Sequence, residues 1–415
     1  MQDYTKTPTA SALNSFGNLS SPLLDIPLKN SLAITKGVGA TTFTRTTTAT
    51  YIDRYGVLKT AAIDEPRFEK EGLLVEGTST NLLTYSEDFS NAAWAKTSGL
   101  SVLLNNTISP DGSTTAEKVY ENTSTSTPFY TAQAIAQASN TYATFSVYVK
   151  ASERSAVRLQ LYNSIVTSDI ILCNFDLSTG TIYSYQANGT ATLAQGSIQY
   201  VNDGWYRLSV SGIPSTSSEN IKALVALLSS PGGGATYNGV VNSGLYIWGA
   251  QLEALPFSTS YIPTTTTAVT RGADEASISF ANNIPSLSDD VTISAIFDKL
   301  GQMPTYQTVF ETSESFRMIR TIDTGLLQSY IGSSSVNVYP HPLTSSKVSV
   351  VYSSGVTKMY RNGLLVGTAT TGVPTGSSNY IYIGVDSTGT SNLYGHISEF
   401  KIYDKALSAF EASLL

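Results

Sequence analysis

An alternation of apolar and polar residues with a period of two constrains this chain more than any other feature. Val157, Leu159 and Leu161 alternate with polar or amphipathic neighbours, and segments 144–149 and 206–211 repeat the pattern. Because successive side chains of a β-strand point to opposite faces, each segment predicts a strand with one buried face. Short glycine-containing turns separate these segments, which is typical of antiparallel sandwiches and jelly rolls.

The pattern predicts an all-β protein with two tandem antiparallel β-sandwich (jelly-roll) domains, preceded by an extended N-terminal arm and a short β-hairpin region. The expected segments are an arm at 1–40, a hairpin connector at 41–80, a first sandwich at 81–272 and a second sandwich at 273–415. Near the end of the chain, Ser408 and Glu411 have the spacing of a capping box, so we expect one short helix there.

Composition excludes several functional classes. Only 13% of the residues are charged, the net charge is −7, and the chain has one cysteine and two histidines. A basic face for nucleic acid is therefore not expected, nor are a disulfide framework or a cysteine-based metal site. No apolar run is long enough to span a bilayer, so we expect no membrane insertion. The charge is low in every region, which argues against long-range electrostatic steering.

Candidate catalytic groups are sparse, and we predict no enzymatic activity and no catalytic residue. Asp274-Glu275 and Asp289-Asp290 are adjacent pairs, and neighbouring strand residues point to opposite faces. We interpret these carboxylates as solvated linker or turn groups. His341 is interpreted as a loop residue and His396 as a structural residue, and Cys173 as a buried apolar filler.

Two blocks of sequence resemble structural proteins of tailed bacteriophages. The first runs from Phe43-Thr44-Arg45 to Trp94, and the second from Gly204-Trp205-Tyr206-Arg207 to Pro263-Thr264. Together they resemble a jelly-roll module, similar to carbohydrate-binding modules, that occurs in virion fibre, spike and collar proteins. The resemblance covers roughly residues 41–272. It implies a virion location, assembly in the bacterial host cytoplasm, and a homotrimer.

The C-terminal part resembles a concanavalin-A-like, laminin-G-like sandwich over about residues 280–415. The motifs that carry this resemblance are Lys358-Met359-Tyr360-Arg361-Asn362-Gly363 and the segment from Gly395-His396-Ile397 to Ser408. They indicate the fold rather than a ligand.

Binding chemistry fits the composition better than catalysis. Sugars present apolar C–H faces and hydroxyls, which proteins bind with exposed aromatic rings and planar polar groups. The candidate carbohydrate-binding residues are Trp94, Tyr130, Tyr162, Tyr183 and Tyr185. Related sandwiches often bind calcium through turn carboxylates. The candidate Ca²⁺ ligands are Asp111, Asp176 and Asp386.

These features favour a virion fibre, spike or collar component whose sandwiches bind host-surface polysaccharide during adsorption. Residues 1–40 would attach it to portal, capsid, collar or tail proteins. Two alternatives stay open at this point: a capsid or tail decoration protein that binds only its neighbours in the virion, and a polysaccharide depolymerase.

Overall fold

The computed structural model describes residues 20–216, 220–285, 290–312, 317–322, 325–331, 334–338, 342–373 and 379–415. Strands account for 50% of the structure and helix for 2%, which confirms the predicted all-β fold class. It divides into two compact units. The central unit comprises residues 43–275 and 299–305, and the terminal unit comprises the described parts of 20–42, 276–298 and 306–415. Strands are numbered below in chain order. None of the described helices is long and apolar enough to cross a bilayer.

The central unit contains two six-stranded antiparallel sheets. Sheet I consists, in spatial order, of β17 (Thr192–Tyr200), β18 (Trp205–Ile213), β13 (Ala143–Ala151), β21 (Gly244–Glu253), β10 (Ala116–Glu121) and β9 (Leu100–Thr107). Sheet II consists of β16 (Thr181–Asn188), β15 (Ile170–Asp176), β14 (Ala156–Asn163), β19 (Asn220–Leu228), β12 (Tyr130–Ala136) and β8 (Ala95–Lys96).

Short strand pairs complete this unit. They are β3 (Ala49–Ile52) with β4 (Leu58–Ala61), β5 (Arg67–Phe68) with β6 (Leu73–Val75), β7 (Ser79–Asn81) with β22 (Val269–Arg271), and β11 (Ser126–Pro128) with β20 (Thr236–Asn238). Strand β2 (Thr42–Thr44) lies at the boundary of the two units. Residues 43–80, expected as a separate connector, cluster with the jelly roll instead.

The period-two pattern places the main core of the central unit between its two sheets. Phe145 and Leu208 of sheet I and Val157, Leu159 and Phe175 of sheet II are fully buried in one cluster. Burying a side chain of this size stabilises the fold by about 1.5–3 kcal/mol. The alternation in the sequence therefore identifies the inward faces of both sheets.

The two outward faces differ. On sheet I, Tyr148, Trp205, Trp248 and Tyr261 form a second buried cluster together with Leu58 from the first hairpin. Sheet I is thus covered on both sides. Sheet II has no comparable cover among the described residues, and its outward face carries side chains that are partly accessible to solvent.

The terminal unit is also built from two antiparallel sheets. One contains β31 (Leu364–Thr370), β30 (Val356–Arg361), β29 (Ser346–Ser353), β24 (Val291–Phe297), β33 (Gly395–Tyr403) and β1 (Leu24–Ile26). The other contains β23 (Glu275–Ser279), β32 (Tyr380–Ile383), β25 (Gln307–Thr312), β26 (Arg317–Thr321), β27 (Leu327–Ile331) and β28 (Ser334–Val338).

Both ends of the chain contribute to this unit. Strand β1 pairs with β33, with Leu24 opposite Ile402. Residues 20–40 are therefore not the free arm that the sequence predicted. The reason is that Leu24 and Ile26 are fully buried. The first 19 residues of the predicted arm lie outside the described residues. Helix α1 (Ala409–Leu414) carries the predicted capping box between Ser408 and Glu411.

Candidate functional site

The outward face of sheet II is the candidate site, and the strand register defines its composition. Across the strands, Tyr130 lies opposite Ala226, which lies opposite Arg158, which lies opposite Asn174. Partners that lie directly opposite share a face of the sheet. A parallel row contains Lys222 and Tyr162. Aromatic and cationic side chains are therefore combined on one solvent-accessible face, with the Asn174 amide buried beside Arg158.

Tyr130 and Tyr162 flank an apolar floor on this face. Both rings pack against Ala132, Leu224 and Ala226, which are buried beneath them. A cavity of about 340 Å³ opens between the tyrosines. Burial raises the pKa of Tyr162, and the neighbouring Tyr130 phenol contributes to this shift. The two rings thus form a shallow groove with an apolar base and hydroxyls at its edge.

The wall of the groove beside Tyr130 is held by Lys96. Its Nζ lies 2.8–3.1 Å from the carbonyl oxygens of Phe89, Ser90, Asn91 and Trp94. Four acceptors therefore surround an ammonium group that has three N–H donors. Ala93, Ala95 and Thr97, which line the groove, are sequence neighbours of Lys96 and its acceptors.

Replacing Lys96 by methionine is expected to lower the free energy of unfolding by about 2 kcal/mol, because four carbonyls lose a charged donor. Chemical denaturation followed by tryptophan fluorescence measures this change. Lys59→Met, at an exposed position on β4, is the matched control and should leave stability within about 0.5 kcal/mol of the original. Equal stability of the two variants would contradict this role for Lys96.

Trp94 is not part of the candidate surface, contrary to the expectation from the sequence. Its side chain is 0% exposed, its ring packs on Phe89 with centroids 4.8 Å apart, and its Nε1 donates to the carbonyl of Tyr85 at 3.0 Å. A ring with both faces covered cannot stack on a sugar. Trp94 instead stabilises the loop that Lys96 binds.

Tyr183 and Tyr185 are on edge strand β16, and about 60% of each side chain is exposed. Tyr185 lies opposite Cys173, a core residue, so it is on the inward side of the sheet edge. Tyr183 is the unpaired residue at a β-bulge, and its phenol lies against Gly232, where an added Cβ would be 2.8 Å from Oη. The structure therefore brings Tyr130 and Tyr162 together and leaves Tyr183 and Tyr185 at the far edge.

Arg158 is the polar centre of the face, and the alternation in the sequence indicated only that it points away from the core. Its Nε donates to Asn174 Oδ1 at 2.8 Å, and Asn174 Nδ2 donates to the carbonyl of Pro231 at 3.0 Å. These bonds fix the guanidinium plane. Burial lowers the pKa of Arg158. Within the described part of the chain, no carboxylate pairs with this side chain.

The three predicted calcium ligands each cap a turn. Asp111 accepts from Ser113 N–H at 2.9 Å, Asp176 from Ser178 N–H at 2.9 Å, and Asp386 from Thr390 N–H at 2.8 Å. They lie in three separate turns, which accounts for the turn signals around them. Calcium binding at these residues stays a prediction.

The remaining candidate groups have structural surroundings. Cys173 is buried, and burial raises the pKa of its thiol to about 12, so it is not a thiolate at neutral pH. His396 Nδ1 lies 2.9 Å from Asp298 Oδ1. His341 and Asp289 lie outside the described residues. Asp274 was expected to be solvated, which is wrong: it is fully buried beside two arginines.

The fold and the groove define a β-sandwich protein whose first jelly roll has one open, aromatic-lined face. Residues 257–413, fewer than half of the chain, match the profile of a family described as the concanavalin A-like lectin/glucanases superfamily. The terminal unit lies largely within this match, in agreement with the resemblance seen in the sequence. No curated protein is significantly similar to the chain.

Several solved structures are similar in part. A putative carbohydrate binding protein from Bacteroides ovatus is 15% identical, with 66% of this chain and 80% of that chain covered and a TM-score of 0.27. Domain 4 of an extracellular arabinanase from Geobacillus stearothermophilus, in complex with arabinotriose, is 18% identical (38% and 80% covered, TM-score 0.29). The CBM40 domain of the Ruminococcus gnavus IT-sialidase is 13% identical (31% and 83%, 0.26).

Proposed function

We propose that the chain is a non-catalytic glycan-binding protein whose site is the outward face of sheet II. The observation that carries the proposal is the groove between Tyr130 and Tyr162, in which two half-buried rings flank an apolar floor. Its volume of about 340 Å³ is at the small end of the range for small-molecule sites. A groove of this size suits one or two sugar rings of a longer chain.

The chemistry of the groove fits a sugar. Each tyrosine offers a flat apolar ring to the C–H face of a pyranose and a hydroxyl at its rim. Arg158, in the same row as Tyr130, supplies N–H donors for sugar hydroxyls, and the buried Asn174 amide holds its Nε edge. Fixed side chains lose little freedom on binding, which favours affinity.

We further propose that the protein is part of a virion, as a fibre, spike or collar component that binds host-surface polysaccharide. This part rests on the resemblance of residues 41–272 to virion modules. Each groove offers little contact area, so affinity per site is expected to be weak. Several copies on one particle, in a homotrimer for example, raise the avidity through effective concentration.

Tyr162→Ala is expected to weaken polysaccharide binding about tenfold, and the double variant with Tyr130→Ala about a hundredfold, at about 1.4 kcal/mol per ring. Affinity electrophoresis and a glycan array of bacterial surface polysaccharides measure binding. Tyr55→Ala is the matched control, because this side chain is 82% exposed on a hairpin, and its binding should equal that of the unaltered protein.

The alternatives predict different results from the same protein. No binding to any polysaccharide, together with tight binding to a capsid, portal or tail protein, would establish a decoration protein instead. Release of reducing ends from a bound polysaccharide would establish a depolymerase.

A further inference from the structure

The outward face of sheet II is cationic although the chain is acidic overall. Among the outward residues of β12, β14, β15 and β19, Arg158 and Lys222 are cations and Asp176 is the one carboxylate. The Asp176 carboxylate is bound by Ser178 of its own turn. Lys96 also lines the groove wall, but Asp88 and Glu117 are its charged neighbours, so the positive charge available on the face is that of Arg158 and Lys222. The whole chain has a net charge of −7, so the excess of positive charge is local to this face.

Arg158 is oriented for a ligand. Its Nε edge is occupied by Asn174, while within the described residues no acceptor binds Nη1 or Nη2. Guanidinium groups bind carboxylates through two parallel N–H donors, and a fixed plane reduces the entropy lost on binding. A half-buried arginine without a counter-ion is unfavourable, and an anionic ligand would relieve this state.

Lys222 provides the second charge beside the aromatic groove. Its Nζ lies 5.8 Å from the centroid of the Tyr162 ring, and no carboxylate in the described chain forms an ion pair with it. The register places the Cα atoms of Lys222 and Arg158 one strand and four residues apart, roughly 14 Å by strand geometry. An extended polymer lying on the face could therefore contact both cations with successive charged sugars.

We infer that this face selects carboxylate-bearing polysaccharide, with Arg158 binding a sugar carboxylate directly and Lys222 binding a second anionic group beside Tyr162. The inference rests on the proposed function, since it names the ligand class of the same groove. The low charge elsewhere in the chain is consistent with local recognition rather than long-range steering.

The test compares acidic and neutral polysaccharides on the unaltered full-length protein. The acidic probes are polygalacturonate, alginate and polysialate, the sulfate probe is dextran sulfate, and the neutral probes are dextran, mannan and galactan. We expect binding to at least one carboxylated polymer, and a loss of at least tenfold when its carboxyl groups are reduced to alcohols. Raising NaCl from 50 to 500 mM should weaken binding several-fold.

Two variants assign the effect to the proposed cations. Arg158→Gln is expected to weaken binding to the carboxylated polymer at least tenfold, and Lys222→Gln about threefold to tenfold. The exposed Lys59→Gln is the matched charge control and should bind as the unaltered protein does. Thermal midpoints of all variants, measured in parallel, distinguish lost contacts from lost folding.

The outcomes separate the inference from the function it rests on. Binding to neutral polymers alone, sensitive to Tyr162→Ala but not to Arg158→Gln, would overturn the anionic ligand class and leave the glycan-binding groove in place. Preference for dextran sulfate over every carboxylated polymer would overturn the carboxylate. No binding to any probe or to arrayed bacterial polysaccharides would overturn the proposed function itself.

Discussion

Arg67→Met is expected to lower the free energy of unfolding of the central unit by about 3–5 kcal/mol. The Arg67 guanidinium forms ion pairs with Glu76, at 2.8 Å, and with Asp274, and all three side chains are fully buried. Removing one partner of a buried pair leaves charge in a medium of low dielectric constant. Arg45 and Arg271 pair with the same carboxylates and compensate only in part.

Urea denaturation of the full chain measures this loss. Trp94, Trp205 and Trp248 all lie in the central unit, so tryptophan fluorescence reports on that unit. Arg54→Met, at an exposed position, is the control and should change stability by less than about 0.5 kcal/mol. If the two variants unfold at the same urea concentration, the network does not stabilise the unit.

The fold could be predicted because its signals are local. Strand alternation, turn residues and the Ser408–Glu411 capping box each involve residues that are close in sequence, and the structure contains the elements they indicate. The buried charge network has no such signal. Arg67 and Asp274 are 207 residues apart, and a carboxylate next to a predicted linker reads as solvated until the packing around it is known.

The site could be predicted only in part, for a related reason. Alternation separates the two faces of a strand, but it does not show which outward face another segment covers. Trp94 was a candidate because of its residue type, yet its loop folds over it. Arg158 appeared only as the polar neighbour of core residues, and its place beside Tyr130 depends on register across two strand pairs. Tyr130 and Tyr162 lie on the outward face, and their role in carbohydrate binding stays a prediction.

A second large effect is expected at Glu117 on β10, beneath the loop that forms the groove wall. Its side chain is 2% exposed and Oε2 accepts the Phe89 N–H at 2.8 Å. Burial raises the pKa of Glu117 from 4.5 to about 7. The folded chain therefore keeps this proton to a higher pH than the unfolded chain, so stability falls as the pH rises from about 4.5 to 7. The fall amounts to about 3 kcal/mol.

Glu117→Gln should abolish this fall, because an amide oxygen still accepts the Phe89 N–H and carries no charge. Urea denaturation at pH 5, 6, 7 and 8 gives the difference in the free energy of unfolding between the variant and the unaltered protein. This difference should grow with pH and level off above about 7. Glu275→Gln, at an exposed position, should give a constant difference. Parallel profiles of stability against pH for Glu117→Gln and the unaltered protein would contradict the presence of a buried proton on Glu117.

Because Phe89 also provides a carbonyl to Lys96, ionisation of Glu117 is expected to loosen the loop that lines the groove. Binding at the groove should therefore weaken above pH 7 in the unaltered protein and not in the variant.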